Sequence, residues 1–143
     1  MKRLIAVFFA VLVAAGCTDN AATPKFKLVD VTGASFGRDF TLTDHNGQRR
    51  TLADFKGKVV TVFFGFTHCP DVCPTTLGEM AVVMKELGAD AARVQVLFVT
   101  VDPERDTSAV LQRYVPAFHP TFLGMTGNAE DIARTAKEFK IFY

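Results

Sequence analysis

Gly65-Phe66-Thr67-His68-Cys69-Pro70-Asp71-Val72-Cys73-Pro74 sets two thiols four residues apart where an apolar strand gives way to a helix. Before it, Val59 to Phe64 is an almost unbroken run of β-branched and aromatic residues, which predicts a strand buried on both faces of a sheet. After it, a helix is expected. Cys73 precedes a proline, whose ring disfavours helical dihedrals at the residue before it, while Pro74 suits the first helical position. Cys73 therefore reads as the N-cap, its thiol facing unpaired backbone N–H groups and the positive end of the helix dipole, both of which favour thiolate. Cys69 falls in the loop just before, near enough for the two sulfurs to share a metal ion or close as a disulfide. The competing reading is a pair of buried structural cysteines, against which the flanking prolines and the strand-to-helix placement argue.

A length of 143 residues suits one domain with a real core, and the hydrophobic fraction of 49% agrees. The formal charge is +1, from 16 basic and 15 acidic residues with no basic cluster, which argues against nucleic acid as a partner. No internal repeat or low-complexity segment interrupts the chain.

The N-terminus reads as a targeting segment. Lys2 and Arg3 precede an apolar run of 12 residues, Leu4 to Ala15, which ends in Ala14-Ala15-Gly16-Cys17. The run is shorter than the roughly 20 residues of a membrane span. It resembles a bacterial lipoprotein signal, cut before a cysteine that then carries lipid, although Ala14 stands where leucine is commoner. Ordinary secretion with a free Cys17 is the alternative. The expected organisation is a signal over 1–16, a tether over 17–25 and a folded domain over 26–143. Removing Lys2 and Arg3 takes the formal charge from +1 to −1. With Cys17 lipidated, Cys69 and Cys73 are left as a self-contained pair, which an oxidising compartment would hold as a disulfide unless a reductant or metal keeps it open.

Phe40-Thr41-Leu42 and Arg50-Thr51-Leu52 flank Asp44-His45-Asn46-Gly47, whose Asn-Gly pair predicts a hairpin with His45 solvated at its tip. Leu77, Met80, Met84 and Leu87 recur at helical spacing and end near Gly88. Two methionines on such a stripe could suggest copper, but they share it with leucines and read as core. Val94 to Val101 is a second buried strand. Asp102 reads as turn chemistry before Pro103, or as a site acid at a strand's carboxyl end. Asp106 reads as the N-cap of a helix carrying Val110, Leu111 and Tyr114 and stopped at Pro116. Phe118 to Phe122 reads as a link into Leu123 to Gly127. Asn128 then caps a helix with Ile132, Ala136 and Phe139 on one face and its charges ordered to suit the dipole. Strand, helix, strand, helix, helix implies an α/β fold with a parallel sheet, and thiols at the end of the first core strand imply a thioredoxin-like one.

From about Phe40 to Tyr143 the chain resembles the Sco/SenC family, thioredoxin-fold copper proteins that help assemble the copper centre of cytochrome c oxidase. The likeness rests on Gly65 to Pro74 with three residues between the cysteines, on Val101-Asp102-Pro103-Glu104-Arg105-Asp106-Thr107, and on Phe118-His119-Pro120-Thr121-Phe122 with Thr126-Gly127. It implies that Cys69 and Cys73 are the two thiolate copper ligands. The family's third ligand is a histidine from a strand region beyond Tyr143. His68 resembles a common family residue beside the first cysteine and reads as a loop side chain that tunes the thiols more than as a ligand; His119 does not match the ligand position. The family's closing β-hairpin and last helix have no counterpart in this sequence, so the expectation is a domain incomplete at its C-terminus with an open sheet edge.

Two functions follow. The first is a membrane-tethered periplasmic metallochaperone that captures copper and delivers it to the copper-bearing oxidase subunit, since soft thiolates select Cu(I). The second is a thiol-disulfide reductase acting on cysteines of such a subunit through the same Cys69 and Cys73.

Overall fold

The computed structural model describes residues 27–143. The expected signal peptide, the tether and the lipid attachment at Cys17 lie outside the described residues. The chain divides at Gly33 into two units. Of the first, residues 27–33 form an exposed turn in which Asp30 accepts hydrogen bonds from the backbone N–H and hydroxyl of Thr32.

The second unit, Ala34–Tyr143, is built on a five-stranded sheet: β1 Leu42–Asp44, β2 Arg49–Arg50, β3 Val59–Gly65, β4 Val94–Thr100 and β5 Leu123–Thr126, in the order β2-β1-β5-β4-β3. Strands β3, β4 and β5 are parallel, and the hairpin of β1 and β2 adds antiparallel to β5. The hairpin turns as its Asn-Gly pair predicts, with Gly47 at φ 82°. Helix α1, Val72–Leu87, crosses from β3 towards β4; α2, Ser108–Tyr114, and a short 3-10 turn over Val115–Ala117 link β4 to β5; α3 is Ala129–Glu138. These elements, with their mostly parallel sheet, bear out the α/β reading.

The core has two parts because β4 is apolar on both faces. Val96 and Phe98 point to one side, where they meet Leu77 and Met84 of α1, Leu111 of α2, and Phe122. Leu97 and Val99 point to the other, with Phe40, Leu42, Met125 and Ile132 of α3. The α1 stripe holds for Leu77 and Met84, which are buried, and for Met80, which packs against them; Leu87 is exposed.

Four expectations need correction. Strand β3 is not buried on both faces: it lies at the edge of the sheet, with Val59 exposed and Val60 to Phe64 half-buried. His45 is not solvated but 8% exposed, its Nδ1 accepting the Gly124 N–H at 3.0 Å. The order strand, helix, strand, helix, helix lacks a strand: Leu123–Thr126, into which the link Phe118 to Phe122 runs, is β5. Asp106 is not a cap: Thr107 caps α2, its hydroxyl accepting from the Val110 N–H. Asn128 caps α3 as expected, accepting from the Asp131 N–H at 2.7 Å.

Candidate functional site

Strand β3 ends at Gly65, and the loop Phe66 to Asp71 carries Cys69 before α1 begins. The sequence at this junction is dictated by a close approach. A Cβ built on Gly65 would stand 2.9 Å from the Cys73 sulfur and 2.9 Å from Cε2 of Phe98, inside van der Waals contact with both. Only glycine lets the strand end pass this close to the sulfur and the aromatic wall behind it.

Cys73 is not the N-cap. Asp71 holds that position, so Cys73 and Pro74 are the second and third residues of α1. Proline is accepted there because the first-turn N–H groups have no partner within the helix, so its missing donor costs nothing. The consequence is a buried thiol, 5% exposed, packed in the cluster with Leu77 and Phe98.

The two thiols are unequal, and in the opposite sense to the sequence expectation. Burial pushes the Cys73 thiol up, against the Phe66 N–H, and the neighbouring Cys69 and the charge of Asp106 push the same way. Cys69 is held down, chiefly by the backbone N–H groups of Asp71 and Cys73 facing its sulfur, with the Cys73 thiol adding to them. The favoured thiolate is therefore the more accessible sulfur of the loop, and the protonated thiol is the one in the helix. Both cysteines are free. This donor set suits a soft monovalent metal or a disulfide exchange, and both sulfurs stand at the carboxyl end of a parallel strand, where such sheets bind ligands.

Behind the loop lies a buried carboxylate that sequence reasoning missed. Asp106, wholly buried, accepts the Thr67 N–H at 2.9 Å, the Thr67 hydroxyl at 2.5 Å and the Thr100 hydroxyl at 2.7 Å. It thereby fastens the loop after β3 to the end of β4. His68 is mostly exposed, with Nδ1 4.0 Å from Asp106 and 3.2 Å from the Thr67 hydroxyl. Asp102 takes the turn role: its N–H donates to the Thr100 hydroxyl and its carboxylate pairs with Arg105. Tyr114, read only as part of a helix stripe, packs its ring against Phe98 and turns its hydroxyl into the interior.

The other histidines lie elsewhere. His45 sits beside Gly124 and His119 precedes β5, bonded to Thr121 and stacked on Phe122, so both belong to the end of the parallel strands opposite the thiols. His119 is thus no substitute ligand for the pair. Among the described residues, no group of three or more His, Cys, Asp or Glu side chains is gathered to hold a metal.

Fold and site together define a thioredoxin-like protein with a redox-capable, metal-capable dithiol at the first strand-to-helix junction of its parallel sheet. The sequence profile of the SCO1/SenC family matches residues 22–143, and the chain belongs to that family. It is 50% identical over 107 residues to the mitochondrial protein SCO2 homolog of Bos taurus, covering 73% of this chain and 40% of that protein. It thus spans about two fifths of that relative's length. The structure is similar to that of Bradyrhizobium japonicum ScoI with copper bound, with a TM-score of 0.71, 43% identity, and coverage of 76% of this chain and 69% of that one. It also resembles BsSco, described as having a disulfide switch and as a member of the Sco family of cytochrome c oxidase assembly proteins, with a TM-score of 0.65, 26% identity, and coverage of 82% and 71%.

Proposed function

We propose that this protein is a copper-binding assembly factor in which Cys69 and Cys73 capture Cu(I) and pass it to the copper-bearing subunit of cytochrome c oxidase. The observation that carries the reading is the pairing of one accessible, thiolate-prone sulfur with one buried sulfur at the end of β3. The copper-bound Bradyrhizobium relative supports copper as the metal. Capture begins at Cys69, whose sulfur needs the smaller deprotonation cost. Cys73 then loses its proton as the second S–Cu bond forms, because metal coordination displaces thiol protons. Release runs in reverse by ligand exchange at the accessible sulfur, where an incoming thiolate or imidazole can reach the ion. The signal-like residues 1–16 and Cys17 support attachment by lipid to the periplasmic face of a bacterial membrane. Among the described residues no helix is long and apolar enough to cross a membrane.

The same asymmetry supports a second reading, a thiol-disulfide reductase. Cys69 thiolate would attack a partner disulfide and expel one partner thiolate. Cys73 would then attack the Cys69 sulfur, release the other partner thiolate and leave a Cys69–Cys73 disulfide that an external dithiol reduces. Anaerobic titration of the reduced chain with Cu(I) against a competing chelator separates the two. A metallochaperone binds one Cu(I), lost in Cys69→Ser and in Cys73→Ser. Unchanged binding in Cys69→Ser overturns the assignment, and absence of binding in the wild type with efficient reduction of a disulfide substrate selects the reductase.

A further inference from the structure

The loop that carries Cys69 is held to the neighbouring strands at a single residue. Among the described residues, two hydrogen bonds join residues 66–70 to the rest of the sheet, and both run from Thr67 to the Asp106 carboxylate. The Thr67 N–H donates to Oδ2 at 2.9 Å and its hydroxyl donates to Oδ1 at 2.5 Å. The carboxylate is wholly buried, and it is a junction. Its Oδ2 also accepts the hydroxyl of Thr100, at the end of β4, at 2.7 Å. The Thr100 hydroxyl is aimed there because its oxygen accepts the Asp102 N–H at 3.0 Å. At the end of β5, the Thr126 hydroxyl donates to the Asp106 carbonyl at 3.4 Å. One residue thus joins the carboxyl ends of all three parallel strands, β3 through the loop that follows it. An ionised carboxylate only accepts, so three donors converging on it form a set of charge-assisted bonds that no neutral side chain of this size reproduces.

We propose that Asp106 is a positioning residue of the dithiol: through Thr67 it holds the Cys69 loop where both sulfurs reach the same metal ion. The inference builds on the copper-binding reading above, which requires the two sulfurs to converge. Cys73 is placed by its own packing, in the cluster with Leu77 and Phe98. Cys69 has only the loop to place it. With Thr67 clasped, the loop is ordered when the chain folds, and binding does not have to order it again. Without the clasp, that cost falls on every ligand that must bridge both sulfurs.

The test uses the full, reduced chain, with Cu(I) titrated against a competing chelator and stability measured by urea unfolding. Thr67→Val removes the hydroxyl bond, Thr67→Ser keeps both bonds, and Asp106→Ala removes the clasp. Ile132→Ala, in α3 on the opposite face of the sheet, lowers stability away from the site. The expected result is about a tenfold loss of Cu(I) affinity in Thr67→Val and a larger one in Asp106→Ala, with Thr67→Ser and Ile132→Ala close to wild type. A second probe is independent of copper. Phenylarsine oxide takes two thiols on one arsenic and releases one water, so it binds in proportion to how well the sulfurs converge, and it should follow the same order across the variants. Wild-type affinity for both probes in Thr67→Val overturns the proposal, whether or not Asp106→Ala folds. So does an equal loss in Thr67→Ser, where the bonds are kept, or in Ile132→Ala, where only stability is lost. A wild-type chain that binds no Cu(I) overturns the copper reading, and the arsenical series then decides the positioning role by itself.

Discussion

Replacing Gly65 by alanine tests the close approach on which the site is built. The new methyl would lie 2.9 Å from the Cys73 sulfur and 2.9 Å from Cε2 of Phe98, with Cζ at 3.4 Å, where ordinary contact starts at about 3.4 Å. At least 0.5 Å must open on two sides at once. Phe98 is wholly buried and held between Phe63 and Tyr114, at 5.8 and 6.0 Å between centroids, so the ring cannot withdraw cheaply. The displacement falls on the Cys73 side chain and the first turn of α1. Overpacking of this kind costs about 1–3 kcal/mol. For a chain of this size each kcal/mol lowers Tm by roughly 3–6 °C. Gly78 provides the matched control: it lies mid-helix in α1 with open space around its would-be Cβ, so Gly78→Ala should stabilise by about 0.5–1 kcal/mol. Urea unfolding of the two variants, followed by Cu(I) competition titration, measures both effects. Gly65→Ala is expected to lose stability and Cu(I) affinity together. If Gly65→Ala is as stable as wild type with its Cu(I) affinity intact, the packing argument is wrong.

Brief labelling of the reduced chain with iodoacetamide at neutral pH, mapped by mass spectrometry, should modify Cys69 well before Cys73, because backbone N–H groups favour thiolate at the first and burial opposes it at the second. Equal or reversed labelling would refute the asymmetry. His45 makes a pH-dependent contribution of definite sign. Burial depresses its pKa in the folded state, with Asp44 opposing in part, so the unfolded chain binds the extra proton first. The stability it confers is full above about pH 6.5 and is lost as the pH falls from there through the folded value. His45→Asn can still accept the Gly124 N–H without titrating there, and should flatten the acid side of a Tm-against-pH curve; a curve parallel to wild type would contradict this.

The hairpin and α3 were legible because local chemistry decides them: Gly47 takes the positive φ its turn requires, and Asn128 caps through its own side chain. Strand β5 was not. Four residues including a glycine carry no periodicity, and Leu123–Thr126 is a strand only because β4 and β1 lie on either side of it. Cys69 and Cys73 were found from spacing, but their roles were exchanged. The proline rule marks where a helix can begin within a turn, and α1 begins two residues earlier than Pro74 alone suggests. That shift buries Cys73, and burial is a tertiary property. Asp106 was visible as a residue of a family-like segment yet read as a cap. Its real partners, Thr67 and Thr100, come from different strand ends and meet only in the folded sheet. The sign of such a site was the excess of polar residues at two strand ends, Thr67 and Thr100, with one acid between β4 and α2 able to reach both.

The proposed function stands or falls with joint ligation of copper by Cys69 and Cys73. X-ray absorption at the copper edge on the anaerobically Cu(I)-loaded chain tests it most directly. The expected result is a low-coordinate Cu(I) site whose nearest shell contains both sulfurs, with one sulfur lost in Cys69→Ser and one in Cys73→Ser. A nearest shell made of nitrogen or oxygen, or one unchanged by either substitution, would contradict it.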